Sequence, residues 1–136
     1  MRFVDTNVIL YAISSDPDDQ DKKRVAYDIL LAQDLAFSTQ VLQEFYVQAT
    51  RTKRTDGLSH GQTVALINVF ARFPVQTTTL EIVRAALATC ERYQISYWDA
   101  AIIEAARTLG CSEVLTEDLN HGQDFDGVVA VNPFVS

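Results

Sequence analysis

Four acidic residues stand where the pattern of the chain calls for something else. Asp5 follows the apolar pair Phe3-Val4, and Asp118 follows Val114-Leu115 by way of Thr116-Glu117. Glu44 lies between Leu42 and Phe45 at the edge of an apolar stripe, near a helix start. Asp99 comes directly after Trp98 in the first turn of the most apolar helical segment. A carboxylate at the end of a buried strand is costly to desolvate unless something positive compensates it. Several such groups close together cannot all stay ionised in a dry pocket. A divalent cation relieves both problems. An all-oxygen ligand set suits Mg²⁺ or Mn²⁺ rather than Zn²⁺, since no His or Cys cluster accompanies it. A carboxylate-held cation activates water and stabilises charge on a phosphodiester oxygen, which is the chemistry of a hydrolytic nuclease.

Each acid also has a plain structural reading. Asp99 stands three residues after Ser96, the spacing of a capping box. Glu44 could be a solvated flank, and Asp118 in Thr-Glu-Asp a turn residue. Asp5 is the hardest to explain that way. What links the four is placement: in a parallel α/β sheet, strand C-termini and the starts of the following helices share one edge, where ligands bind.

The elements that would position them follow from periodicity. Strands are expected at about Arg2 to Asp5, Leu35 to Phe37, around Val75, at Val114-Leu115, and at Val128 to Val131. Between them come a short helix or turn to Ala12 and helices from about Asp19 to Ala32, from Ser38 or Thr39 to about Arg51, and from Ser59 to before Pro74. Two more run from Leu80 to Tyr93 and from Ser96 to a stop at Gly110. Ile82, Val83, Ala86, Leu87 and Cys90 form one inward stripe. Trp98, Ala101, Ile102, Ala105, Ala106 and Leu109 form another. Alternating strands and helices imply an α/β fold with a central, mostly parallel sheet of about five strands and right-handed crossovers.

The chain has 136 residues and a net charge of −7. That length suits one domain, 1–136, with a real core, and no linker or repeat divides it. The acidic balance argues against binding nucleic acid through bulk positive charge, but not through bound cations. No apolar run approaches the roughly 20 residues of a membrane helix. Asp5 and Asn7 interrupt any signal-peptide core. A cytoplasmic protein is therefore expected, with Cys90 and Cys111 as buried reduced thiols and His60 and His121 on the surface.

The stretches Asp5-Thr6-Asn7-Val8-Ile9-Leu10-Tyr11, Gln43-Glu44-Phe45, Tyr97-Trp98-Asp99-Ala100, Thr116-Glu117-Asp118-Leu119 and Val131-Asn132-Pro133-Phe134 together resemble the PIN-domain ribonucleases. The nearest resemblance is to the VapC-type toxins of toxin–antitoxin pairs. It spans nearly the whole chain, with the motifs in family order. It implies a PIN-like α/β/α sandwich, Mg²⁺- or Mn²⁺-dependent endoribonuclease activity, homodimers, and inhibition by a cognate antitoxin. Asp5, Glu44, Asp99 and Asp118 match the acidic positions, as catalytic and metal-holding residues. Thr6, Asn7 and Thr116 match positions that support the site. Asp124 is an extra acid without an assigned role.

A phosphatase of the haloacid-dehalogenase type also begins with a strand and an Asp, but needs a second Asp where Asn7 stands. A receiver-like module that merely holds Mg²⁺ needs an acidic pair at its first strand and a later lysine. An inactive, regulatory Mg²⁺-binding PIN-like module is the closer rival. The cations Arg51, Lys53 and Arg54 read either as a solvated helix end or as contacts to RNA phosphates.

Overall fold

The computed structural model describes residues 1–51 and 54–135. Among these described residues, five parallel strands form the sheet: β1 (Arg2–Val4), β2 (Leu35–Ser38), β3 (Val75–Gln76), β4 (Glu113–Leu115) and β5 (Val129–Val131), in the order β3-β2-β1-β4-β5. Phe3 pairs with Ala36 on one side and Val114 on the other. β1 is thus the central strand, and Phe3, Val4, Phe37 and Val114 are fully buried. Because its two neighbours lie in opposite directions, the crevice beyond the C-terminal end of β1 is the switch point of the sheet.

The helices are α1 (Thr6–Ala12), α2 (Gln20–Leu30), α3 (Thr39–Ala49), α4 (His60–Phe70), α5 (Leu80–Tyr93) and α6 (Tyr97–Leu109). α1 packs on α2 and α3, and α4 on α3. α6 packs on β2, β3 and β4, with α5 outside it. The result is the expected α/β/α sandwich.

Local chemistry explains most boundaries. Ser38 caps α3, its Oγ accepting from the Val41 N–H at 3.3 Å. Ser59 and Gln62 complete a capping box on α4. Gly110 ends α6 at φ +80°, the left-handed conformation that glycine adopts without a steric penalty. Two expectations fail for physical reasons. α3 stops at Ala49 rather than near Arg51, where Thr50 leaves helical geometry at φ −97°, ψ 5° and caps the end. Trp98 and Leu87 leave their inward stripes and are 63% and 55% exposed. The thiol of Cys111 is buried, whereas Cys90 is only half-buried.

One buried carboxylate escaped the sequence reading. Glu104 in α6 accepts from Thr89 at 2.9 Å and from Arg107 Nε at 3.0 Å. Arg107 also donates to the carbonyls of Phe125 and Asp126, which fastens the turn before β5 to α6. This charged pair is satisfied on every side and is structural. Asp124 belongs to the same turn, accepting from the Gly127 N–H at 2.7 Å.

Candidate metal centre

Asp5 ends β1 and caps α1. Its Oδ1 accepts from the Thr6 N–H at 2.7 Å, and its Oδ2 from the Thr116 hydroxyl at 2.8 Å. It is only 5% exposed. Burial drives its carboxyl upward. The bonds from Thr116 and Thr6 act against that, the charges of Asp118 and Glu44 add to it, and the outcome is about 7. An ionised carboxylate here is short of positive charge.

Asp99 reaches the same place from the first turn of α6. The Ser96 hydroxyl caps this helix by accepting from the Asp99 N–H at 3.0 Å. Ser96 thus supplies the cap, and one carboxylate oxygen each from Asp5, Asp99 and Asp118 lies within 4.8 Å of the others. Burial also raises Asp99 above the usual carboxylate range. Its bond with Ser96 opposes this, and the charges of Asp118 and Glu44 reinforce it.

Asp118 sits on the turn after β4 and is exposed. Two neighbours orient it: the Thr116 hydroxyl accepts from its N–H at 3.1 Å, and Asn7 Nδ2 donates to its Oδ2 at 3.1 Å. Thr116 therefore holds Asp5 with its proton and Asp118 with its lone pair. Glu44 stands outside the group of three. Its Oε2 accepts from the Thr6 hydroxyl at 2.9 Å and its Oε1 from Gln40 Nε2 at 3.1 Å. Thr6 thus ties Glu44 to Asp5, one through its hydroxyl and the other through its N–H.

Whether a hard divalent cation suits this cluster can be tested on the donors present. Three carboxylates converge from three separate elements. The remaining polar groups nearby are an amide and hydroxyls, so the donor set is all oxygen, as Mg²⁺ and Mn²⁺ require. Asn7 Oδ1 is also buried with no hydrogen-bond partner, although its amide nitrogen is engaged. A buried, unpartnered acceptor beside like-charged acids is costly in the free protein. The residues fit a cation.

A second network fixes the β4 turn and had no signature in the sequence. Tyr11 OH donates to Glu117 Oε1 at 2.6 Å, and Lys22 Nζ to Glu117 Oε2 at 2.6 Å. The ammonium lies 4.8 Å from the Tyr11 ring centre, and Phe134 meets that ring edge-on. Burial acts to raise the Glu117 carboxyl, but the bonds from Lys22 and Tyr11 outweigh it and the group is held low. Glu117 therefore stays committed to Lys22 and leaves Asp118 to the acid group.

Of the proposed phosphate contacts, Arg54 forms an ion pair with Asp56 at 2.8 Å. Asp56 in turn accepts from the Ser15 N–H at 2.8 Å, which closes a loop–loop contact. Arg51 is exposed, on the loop after α3. Lys53 lies outside the described residues. A cleft of about 550 Å³ lies between Asn7, Tyr11, Ser14 and Arg54, and of the site residues only Asn7 lines it. His60 and His121 are exposed, as expected.

Comparison with known families gives a match to the PIN domain model over residues 2–123. Comparison with curated proteins by sequence gives no match. Among solved structures, the chain is similar to a toxin–antitoxin complex from Klebsiella pneumoniae, with TM-score 0.70, 21% identity, and 98% of each chain covered. It is also similar to VapC20 of Mycobacterium tuberculosis, described as a sarcin-ricin loop cleaving toxin, with TM-score 0.65 and 20% identity over 84% of this chain and 87% of that one. VapBC2 of Rickettsia felis, bound to a promoter DNA fragment, gives TM-score 0.62 and 16% identity over 95% and 96% of the two chains. At these identities the likeness is one of fold.

Proposed function

The chain belongs to the PIN-domain family, and from that premise we propose that it is a Mg²⁺- or Mn²⁺-dependent endoribonuclease, the toxin of a toxin–antitoxin pair. The observation that carries this reading is the convergence of Asp5, Asp99 and Asp118 within 4.8 Å. Those three residues would hold the cation, with Glu44 behind them. Once bound, such a cation polarises a phosphodiester oxygen and lowers the pKa of water.

The protein's own residues do the rest. Thr6 and Thr116 fix the Asp5 carboxylate through one hydrogen bond to each of its oxygens. Asn7 and Thr116 set the direction of Asp118. Glu44, anchored on Thr6 and Gln40, adds negative charge that draws a cation inward without itself entering the group of three.

A partner surface accompanies the site. Tyr27, Leu31 and Val69 are 56%, 71% and 46% exposed. They line a groove of about 260 Å³ with Ile9, Leu66 and Phe70, between α1, α2 and α4. A helix of an antitoxin, its apolar face inward, fits such a groove. The similarity in fold to chains of toxin–antitoxin complexes supports an antitoxin partner, and a homodimer of the toxin chain is part of the same proposal. The substrate in this reading is RNA in the cytoplasm; separately, among the described residues no helix is long and apolar enough to cross a membrane.

The test is incubation of total cellular RNA with Mn²⁺, with EDTA, and with Asp5→Asn in place of the wild type, mapping the cut ends. Discrete cuts that need both Mn²⁺ and Asp5 are expected. Cuts that survive EDTA would refute the reading.

A further inference from the structure

We propose that the indole of Trp98 is a stacking platform for an unpaired nucleobase next to the scissile phosphate. The proposal rests on the ribonuclease reading above and names a substrate contact for it.

The first observation is the indole's exposure. Trp98 is 63% exposed although helical periodicity would bury it. Its position is equally specific. It is the residue before Asp99, whose carboxylate belongs to the acid group, and neighbouring Cα atoms lie about 3.8 Å apart. The Trp98 carbonyl accepts from Gln40 Nε2 at 3.4 Å, and the same amide group binds Glu44. The backbone under the indole is thus tied to the site. The Tyr97 and Trp98 rings meet edge-to-face at 5.2 Å, a contact that occupies at most one face of the indole and leaves another for a stacked ring.

The second observation concerns charge. A chain of net charge −7 repels RNA. Two cations placed to help are already committed, Lys22 to Glu117 and Arg54 to Asp56. With those two committed, contacts that do not depend on charge gain weight beside cation-bridged phosphate and an exposed cation such as Arg51. Base–aromatic stacking is such a contact, tolerant of sequence and carried by any base with a free face. It also selects: a base within a duplex offers no free face, so unpaired loop or single-stranded RNA is favoured.

Trp98 is the single tryptophan of the chain, so its emission reports on this contact alone. In the Asp5→Asn background, which keeps the RNA intact, we expect a short single-stranded RNA to quench that emission. An abasic ribose-phosphate oligomer of equal length should not. Trp98→Ala and Trp98→Leu should each weaken RNA binding by about 5- to 150-fold, and Trp98→Phe should restore most of it. Unchanged affinity in Trp98→Ala overturns the platform and leaves the nuclease reading standing. So does Trp98→Leu binding as well as wild type, which would make the contact merely apolar. A fall in molecular mass by light scattering in Trp98→Ala, with RNA affinity intact, assigns the indole to an interface between copies. Failure of the Trp98-containing protein to bind or cut any RNA overturns both readings.

Discussion

Thr116 and Asp5 are 111 positions apart in the chain and 2.8 Å apart in space. One hydroxyl joins the ends of two neighbouring strands and feeds a buried carboxylate. Thr116→Val keeps the shape and removes that donor. Leaving a buried carboxylate short of a partner costs about 1–3 kcal/mol, and the Asp118 N–H loses its acceptor as well. Urea unfolding should show this loss at pH 7, together with an upward shift of the Asp5 carboxyl by ¹³C NMR. Unaltered stability and an unaltered Asp5 would show that the bond contributes nothing.

The Asp5 carboxyl titrates near 3.8 in an unfolded chain and at about 7 in the folded one. Between those values the folded state holds more protons than the unfolded state. Stability therefore falls as pH rises across that window, by up to about 1.4 kcal/mol per unit. With EDTA present, the unfolding midpoint should decline from pH 4 toward pH 7 and level off above it. Asp5→Asn should flatten this decline and be the more stable protein at pH 8. A midpoint in that variant that follows the wild type at every pH would disprove the assignment.

Cation binding should reverse the same penalty. A ligand at 100 times its dissociation constant stabilises by about 2.7 kcal/mol. Thermal melts with Mn²⁺ should rise accordingly and return with EDTA, and Asp99→Asn should lose most of the rise. An equal rise in Asp99→Asn would place the cation elsewhere.

Much of this was legible in the sequence, because the polarity of the chain breaks abruptly at strand ends. Phe3-Val4-Asp5 and Val114-Leu115 leading to Thr116-Glu117-Asp118 carry both the strand and the acid. The capping spacing at Ser96 misleads about Asp99 only while its surroundings are unknown. What could not be read depends on distance in sequence. Lys22 and Glu117 are 95 positions apart, and nothing local marks them as partners. Trp98 fits the stripe of Ile102 one turn later, but in the first turn of α6 it lies largely exposed. Arg54 reads as a free cation until Asp56 is seen folded back on it.

Arg54→Gln should therefore act on stability before it acts on RNA. The Arg54–Asp56 pair is partly shielded, with side chains 25% and 13% exposed. A loss of about 1 kcal/mol is expected, discounted for solvent screening. Amide exchange at Ser15 should quicken, because its acceptor Asp56 is released. Slow exchange there in the variant would show that the pair does not hold the loop.

The central claim is that Asp5, Asp99 and Asp118 act together through a cation to cut RNA. Its most direct test is the cleavage rate of one RNA oligonucleotide in saturating Mg²⁺, measured for wild type and for Asp99→Asn, with circular dichroism confirming that both are folded. The account predicts a loss of about a hundredfold or more in Asp99→Asn with the fold intact. A folded Asp99→Asn protein that cuts at the wild-type rate would contradict it.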